Sequence, residues 1–132
     1  MTQTNTDFLK TLLAVDQDVR KVVPMKRFGL DFEIKALTPE EANKIQQRST
    51  KLSMVKGQGK TIDEDKFNYL TIATACITPD WSEVATAMGV LDAIDAIKGK
   101  LLFGEVAFLL GEIAELNGLD KSDEEQVEEA KN

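Results

Sequence analysis

Residues 31–55 read DFEIKALTPEEANKIQQRSTKLSMV, and two kinds of chain meet at Leu37. Before that point Phe32, Ile34 and Ala36 alternate with Glu33 and Lys35, the period-two pattern of a strand with one buried face. After it, Thr38 is placed as a helix N-cap, Pro39 suits the first helical position, and Glu41 completes a capping box. Ala42, Ile45, Leu52 and Val55 then share one helical stripe. The upstream segment VRKVVPMKR (19–27) supplies a second strand, joined through Phe28-Gly29-Leu30. Pro24 lacks an N–H, so that strand belongs at a sheet edge. A β-hairpin at about 19–37 therefore feeds a helix over 40–55.

Working outward, helix signals dominate. Residues 1–6 are polar and are expected to be disordered, while DFLKTLLAV (7–15) carries Leu9, Leu12 and Leu13 on one side of a short helix. Asp63 caps a helix over 64–77 that is apolar almost all round, which marks it as central. Thr78-Pro79-Asp80 ends that helix and caps the next, at 82–88, which Gly89 stops. A helix at 91–98 follows, with Val90, Ile94, Ile97 and Leu101 in register. The last spans 105–117, with Glu105 at its positive end and Asn117-Gly118 as its stop. The expected organisation is one mainly α domain over 7–118 with a small N-terminal β-hairpin, then a disordered acidic C-terminal tail over 119–132.

Composition excludes several chemistries. The 132 residues contain no histidine, which removes the commonest general base and metal ligand. The single cysteine, Cys76, sits among apolar neighbours and reads as a core residue. No apolar run approaches the ~18 residues a membrane span needs, and MTQTNTDFLK lacks the regions of a signal peptide. A cytoplasmic location is the expectation. Net charge is −7, unevenly spread. Residues 1–60 carry eleven Lys/Arg against seven Asp/Glu, whereas residues 61–132 carry five against sixteen. The acidic half argues against a nucleic-acid partner, and the asymmetry favours attraction between the halves, within one chain or between chains.

Gly59-Lys60-Thr61 looks like the end of a phosphate-binding loop, but Met54 stands where its first glycine is needed. Three carboxylates, Asp63, Glu64 and Asp65, follow closely, so the loop reads as a glycine hinge between helices. Counted from Asp63 as an EF-hand, position six is Asn68 and position twelve Thr74, so no calcium loop forms. The pairs Glu112/Glu115 and Asp92/Asp95 lie on polar helix faces, where solubilising charge belongs. No catalytic, cofactor or metal site emerges.

One helix face is less easily assigned. In the last helix Val106, Leu109, Leu110, Ile113 and Leu116 form a stripe, and Phe108 points about 160° away from its centre. Phe108 shares that side with Gly111, Glu112 and Glu115, which suggests a contact surface for another helix; the competing reading is a helix buried on two sides. Trp81 poses the same choice, between a staple on the core and an anchor for a partner.

The order of motifs carries a resemblance. The stretch FEIKALTPEEANKI, the helix end ACITPD and the block GKLLFGEVAFLLGEIAELNGLD look like the XkdN-like tail assembly chaperones of tailed phages and prophages. The matching positions are Leu37 to Glu41, Cys76 to Asp80 and Leu101 to Gly118, and the likeness extends over roughly residues 22–120. It implies a non-enzymatic protein that binds the tape measure protein, keeps it soluble and assists tail tube protein in polymerising around it. It also implies a protein lost from the finished virion. A compact body with apolar grooves and an acidic tail suits such a role. In many such proteins a longer form arises by ribosomal slippage, and Lys131-Asn132 encoded AAA AAC or AAA AAT after a codon ending in A would permit it. The alternatives are a structural virion component, such as a tail terminator or head–tail connector, or an acidic DNA mimic. Self-association is left open.

Overall fold

A computed structural model of the chain describes residues 5–52 and 59–119. The expected tail over 120–132 and the expected disorder over 1–4 lie outside those residues. Helix α1 spans Asn5–Ala14 and buries none of its side chains. It starts earlier than the periodicity of 7–15 predicts, so Asn5 and Thr6 are helical rather than disordered. Asp7 in its first turn favours that start.

The hairpin forms as expected. Strands β1 (Arg20–Met25) and β2 (Leu30–Lys35) pair antiparallel, with Met25 opposite Leu30 and Arg20 opposite Lys35. The turn between them contains Gly29 at φ 65°, a left-handed conformation that glycine adopts without strain. Pro24 lies on β1, which is the sheet edge, as its missing donor requires. Val23, Met25, Phe32 and Ile34 turn inward and are all 5% exposed or less.

Helix α2 covers Pro39–Ser49, and the capping box is present: the Glu41 N–H donates to Thr38 Oγ1, and the Thr38 N–H donates to Glu41 Oε1. The helix stops sooner than its stripe suggests. Ser49 Oγ donates to the Ile45 carbonyl and Thr50 Oγ1 to the Gln46 carbonyl, so the last turn is satisfied by side chains. Thr50–Leu52 then extends as β3 and pairs with β4, Lys60–Ile62. The glycine-bearing loop thus connects two strands, not two helices. Lys60 and Thr61 lie in a strand, whereas a phosphate loop would place them at the start of a helix. Residues 53–58, including Met54 and Val55 of the expected helix, lie outside the described region.

Asp63 caps α3, Glu64–Ala75, by accepting from the Lys66 N–H. This helix is central: it packs against α2 and against the later helices α5 (Ala93–Lys100) and α6 (Phe103–Leu116). It ends two residues before the expected boundary. Cys76–Thr78 leaves it as strand β5 and pairs antiparallel with β2, completing a three-stranded sheet ordered β1-β2-β5. Helix α4, Trp81–Met88, is capped by Asp80 and closed by Gly89 at φ 74°. At the far end the Leu119 N–H donates to the Ala114 carbonyl and the Gly118 N–H to the Glu115 carbonyl, a Schellman closure of α6.

The core lies between the three-stranded sheet and α3 to α6. Ile72, Ala96, Ile97 and Leu109 are wholly enclosed there. Each large aliphatic contributes about 1.5–3 kcal/mol relative to an exposed position. Trp81 joins them at 3% exposure, its ring edge-on to Phe32 with centroids 6.1 Å apart. Among the described residues Trp81 Nε1 is buried without a hydrogen-bond partner of good geometry, although the ring lies near enough to Cys76 to offset part of that thiol's shift. Burial dominates and pushes the Cys76 thiol up to about 11. Cys76 is therefore an inert core residue, as its neighbours predict.

Candidate partner-binding surface

The charge asymmetry of the sequence is used inside the chain. Arg27 on the hairpin turn meets Glu105 at the start of α6 through two bonds, of 2.9 Å from Nε and 2.6 Å from Nη2. A third donation, of 2.6 Å, reaches the Lys100 carbonyl. Glu105 Oε1 also accepts from the Leu102 N–H, so one carboxylate caps α6 and fastens it to the hairpin. The Arg27 guanidinium holds that carboxyl below its ordinary range, and the Leu102 N–H adds to the effect. Lys21 of β1 likewise donates to Glu112, midway along α6. The basic hairpin and the acidic helix are thus stapled at two points.

These staples bear on the outer face of α6. Phe108 is 43% exposed and Gly111 is open, with nothing within 4 Å of where a Cβ would stand. Glu115 is exposed, but Glu112 is half-covered because Lys21 lies on it. The face therefore exists, and one of its four residues is engaged by the chain's own strand. Trp81 is not part of any surface: it is a core staple, and the anchor reading is corrected by its burial.

The more concave surface lies elsewhere. An apolar groove of about 460 Å³ runs between α2, α3 and α6. Ala42 and Ile45 form one wall, Leu110 and Ala114 the other, and Phe67 and Thr71 line it from α3. Among the described residues no charged side chain lines it. One end is set by Asn117, whose Oδ1 accepts from the Leu37 N–H at 2.8 Å while its Nδ2 donates to the Ile113 carbonyl at 2.7 Å. The junction of α2 and α3 is fixed by the Asp63 N–H donating to the Ser49 carbonyl at 2.7 Å. A groove with fixed ends and uncharged walls can take the apolar stripe of a helix without desolvating a charge.

Sequence patterning misses this groove. Ile45, Leu110 and Ile113 read as core stripe, and nothing local shows that α2 and α6 stand apart over α3. The available signal is two small residues, Ala42 on the α2 stripe and Ala114 beside the α6 stripe, which leave room between the helices.

The sequence profile of the phage XkdN-like tail assembly chaperone proteins matches residues 6–131. The chain belongs to the XkdN-like tail assembly chaperone family. It is 29% identical over 118 residues to the phage-like element PBSX protein XkdN of Bacillus subtilis (strain 168), covering 86% of this chain and 80% of that protein. In fold it is similar to the crystal structure of the protein YqbN, with a TM-score of 0.63 at 22% identity, over 80% of this chain and 90% of that one. The family's role is chaperoning of tail assembly, which is not an enzymatic one. Among the described residues no cluster of carboxylates and thiols could hold a metal ion, and no helix is long and apolar enough to cross a membrane.

Proposed function

We propose that the protein binds the tape measure protein, keeps it soluble in the bacterial cytoplasm and assists tail tube polymerisation around it, without remaining in the virion. The groove between α2, α3 and α6 is the client site. The observation that carries this reading is the uncharged, half-open lining of that groove in a member of a tail assembly chaperone family. A tape measure is a long helical protein, and an apolar helix stripe laid in a groove is the recognition mode such a surface serves. Each stripe residue buried would contribute up to about 1.5–3 kcal/mol before the costs of association. Leu110 and Phe67 are half-buried, so their outward surface is free for a client. The outer face of α6, with Phe108, Gly111 and Glu115, serves as a second contact, with tube protein or another copy.

Co-purification tests the proposal. Tagged protein expressed with its cognate tape measure should retain that client through affinity and size-exclusion steps. Elution of the two proteins apart, with the tape measure confirmed present in the lysate, would refute it.

A further inference from the structure

Among the described residues, four polar side chains line the groove between α2, α3 and α6: Thr38, Asn68, Thr71 and Asn117. The chain itself engages three of them. Thr38 Oγ1 accepts from the Glu41 N–H, Thr71 Oγ1 donates to the Phe67 carbonyl, and Asn117 is bonded through both ends of its amide. Asn68 is different: among the described residues its side chain has no hydrogen-bond partner. It is half-buried on α3, with the donors and acceptor of its amide unspent. Asn68 also stands where the groove continues. It lines a second hollow, of about 350 Å³, between α3, α5 and α6, and Leu110 is common to both. That hollow runs to Phe103, which is 91% exposed at the start of α6. Its two charged residues, Asp65 and Lys98, are exposed and can keep their charges in water when the hollow is covered. From Phe103 to Asn117 is about 21 Å along α6, the length of about fourteen residues of a helix laid beside it. Leu110 is midway along that stretch, and Asn68 meets the same point from α3.

We propose that Asn68 sets the register and specificity of the client groove. Its occupant is a helix of about four turns whose apolar stripe is interrupted midway by one amide or hydroxyl side chain. A wholly apolar stripe seated along this length would cover the Asn68 amide and strip its water with nothing in exchange. A glutamine, asparagine, serine or threonine at that point replaces the lost water with a hydrogen bond. One polar residue within an apolar helix contact fixes register for the same reason, because every slipped alignment leaves it unpaired. This inference rests on the groove being the client site.

Titration of the full chain with two synthetic helical peptides is the test. Both have about fifteen residues and one apolar stripe, and they differ only at its centre, glutamine in one and leucine in the other. The wild-type chain should bind the glutamine peptide about 5- to 30-fold more tightly. Asn68→Leu should abolish or reverse that preference. Asn68→Ala, which removes the amide without adding bulk, should abolish it. Equal binding of the two peptides by the wild-type chain, or tighter binding of the leucine peptide, would overturn the proposal and leave the client reading standing. So would a preference for glutamine that both variants keep. Failure of the wild-type chain to bind either peptide would overturn the client reading, and this inference with it.

Discussion

Ala42→Glu places a carboxylate on the α2 wall of the groove at little cost to the fold. Ala42 is exposed, it makes no side-chain bond, and it sits near the N-terminal end of α2, where negative charge is favourable. Glutamate has a helix propensity close to that of alanine, so the stability change should stay within about 0.5 kcal/mol. Client binding is another matter. A helix stripe seated on Ala42, Ile45 and Leu110 would strand the new carboxylate against apolar surface. Leaving a polar group buried and unpaired costs about 1–3 kcal/mol, and more when it is charged. That corresponds to a rise in Kd of about 5- to 150-fold. Titration calorimetry with a helical tape measure fragment reads the affinity, and urea denaturation of the same sample reads the stability. Undiminished affinity in a folded Ala42→Glu protein would place the client elsewhere. Lost affinity with a large drop in midpoint would mean that the wall had collapsed, and Ala114→Glu on the facing helix then decides.

Phe108→Asp should cost about 1 kcal/mol, because rather more than half of the ring is covered, and should weaken association through the outer face of α6. A loss above about 3 kcal/mol in urea would make Phe108 core and remove that face as a contact. Gly118→Ala should destabilise by about 1–2 kcal/mol through left-handed strain at φ 77°, since open space surrounds the site; an unchanged thermal midpoint would contradict the role given to the Schellman closure. Glu105 has a lowered carboxyl pKa in the folded protein, so its contribution is present above its ordinary value near 4.5 and is lost as pH falls through the lowered one. Arg27→Met should shrink that acid-side loss, and denaturant midpoints at pH 7 and pH 3 that fall equally in both proteins would show that the pair has no such effect.

What could be read from the sequence was local chemistry. Thr38, Asp63, Asp80, Gly89 and Asn117-Gly118 each act within one helical turn, and each performs the role its residue type suggests. Pro24 placed its strand at the edge because a missing donor means the same thing in any fold. Cys76 and Ile77 read as helix since their apolar spacing continues that of α3, whereas their conformation is set by pairing with β2, more than forty residues earlier. Thr50 and Leu52 likewise owe their extension to Thr61 and its neighbours across the loop. For Phe108 the sequence located the exposed face but could not show Lys21 lying on Glu112, a contact spanning 91 residues. The groove was the least legible feature, because it is a gap between elements and only the packed helices define it.

The soluble yield of the cognate tape measure protein, expressed at matched levels with and without this chain, decides whether this protein is its chaperone. Wild-type protein should move most of the tape measure from the pellet to the supernatant, and the Ala42→Glu protein, equally abundant and folded, should not. A soluble fraction that stays the same with wild-type protein present would contradict that role.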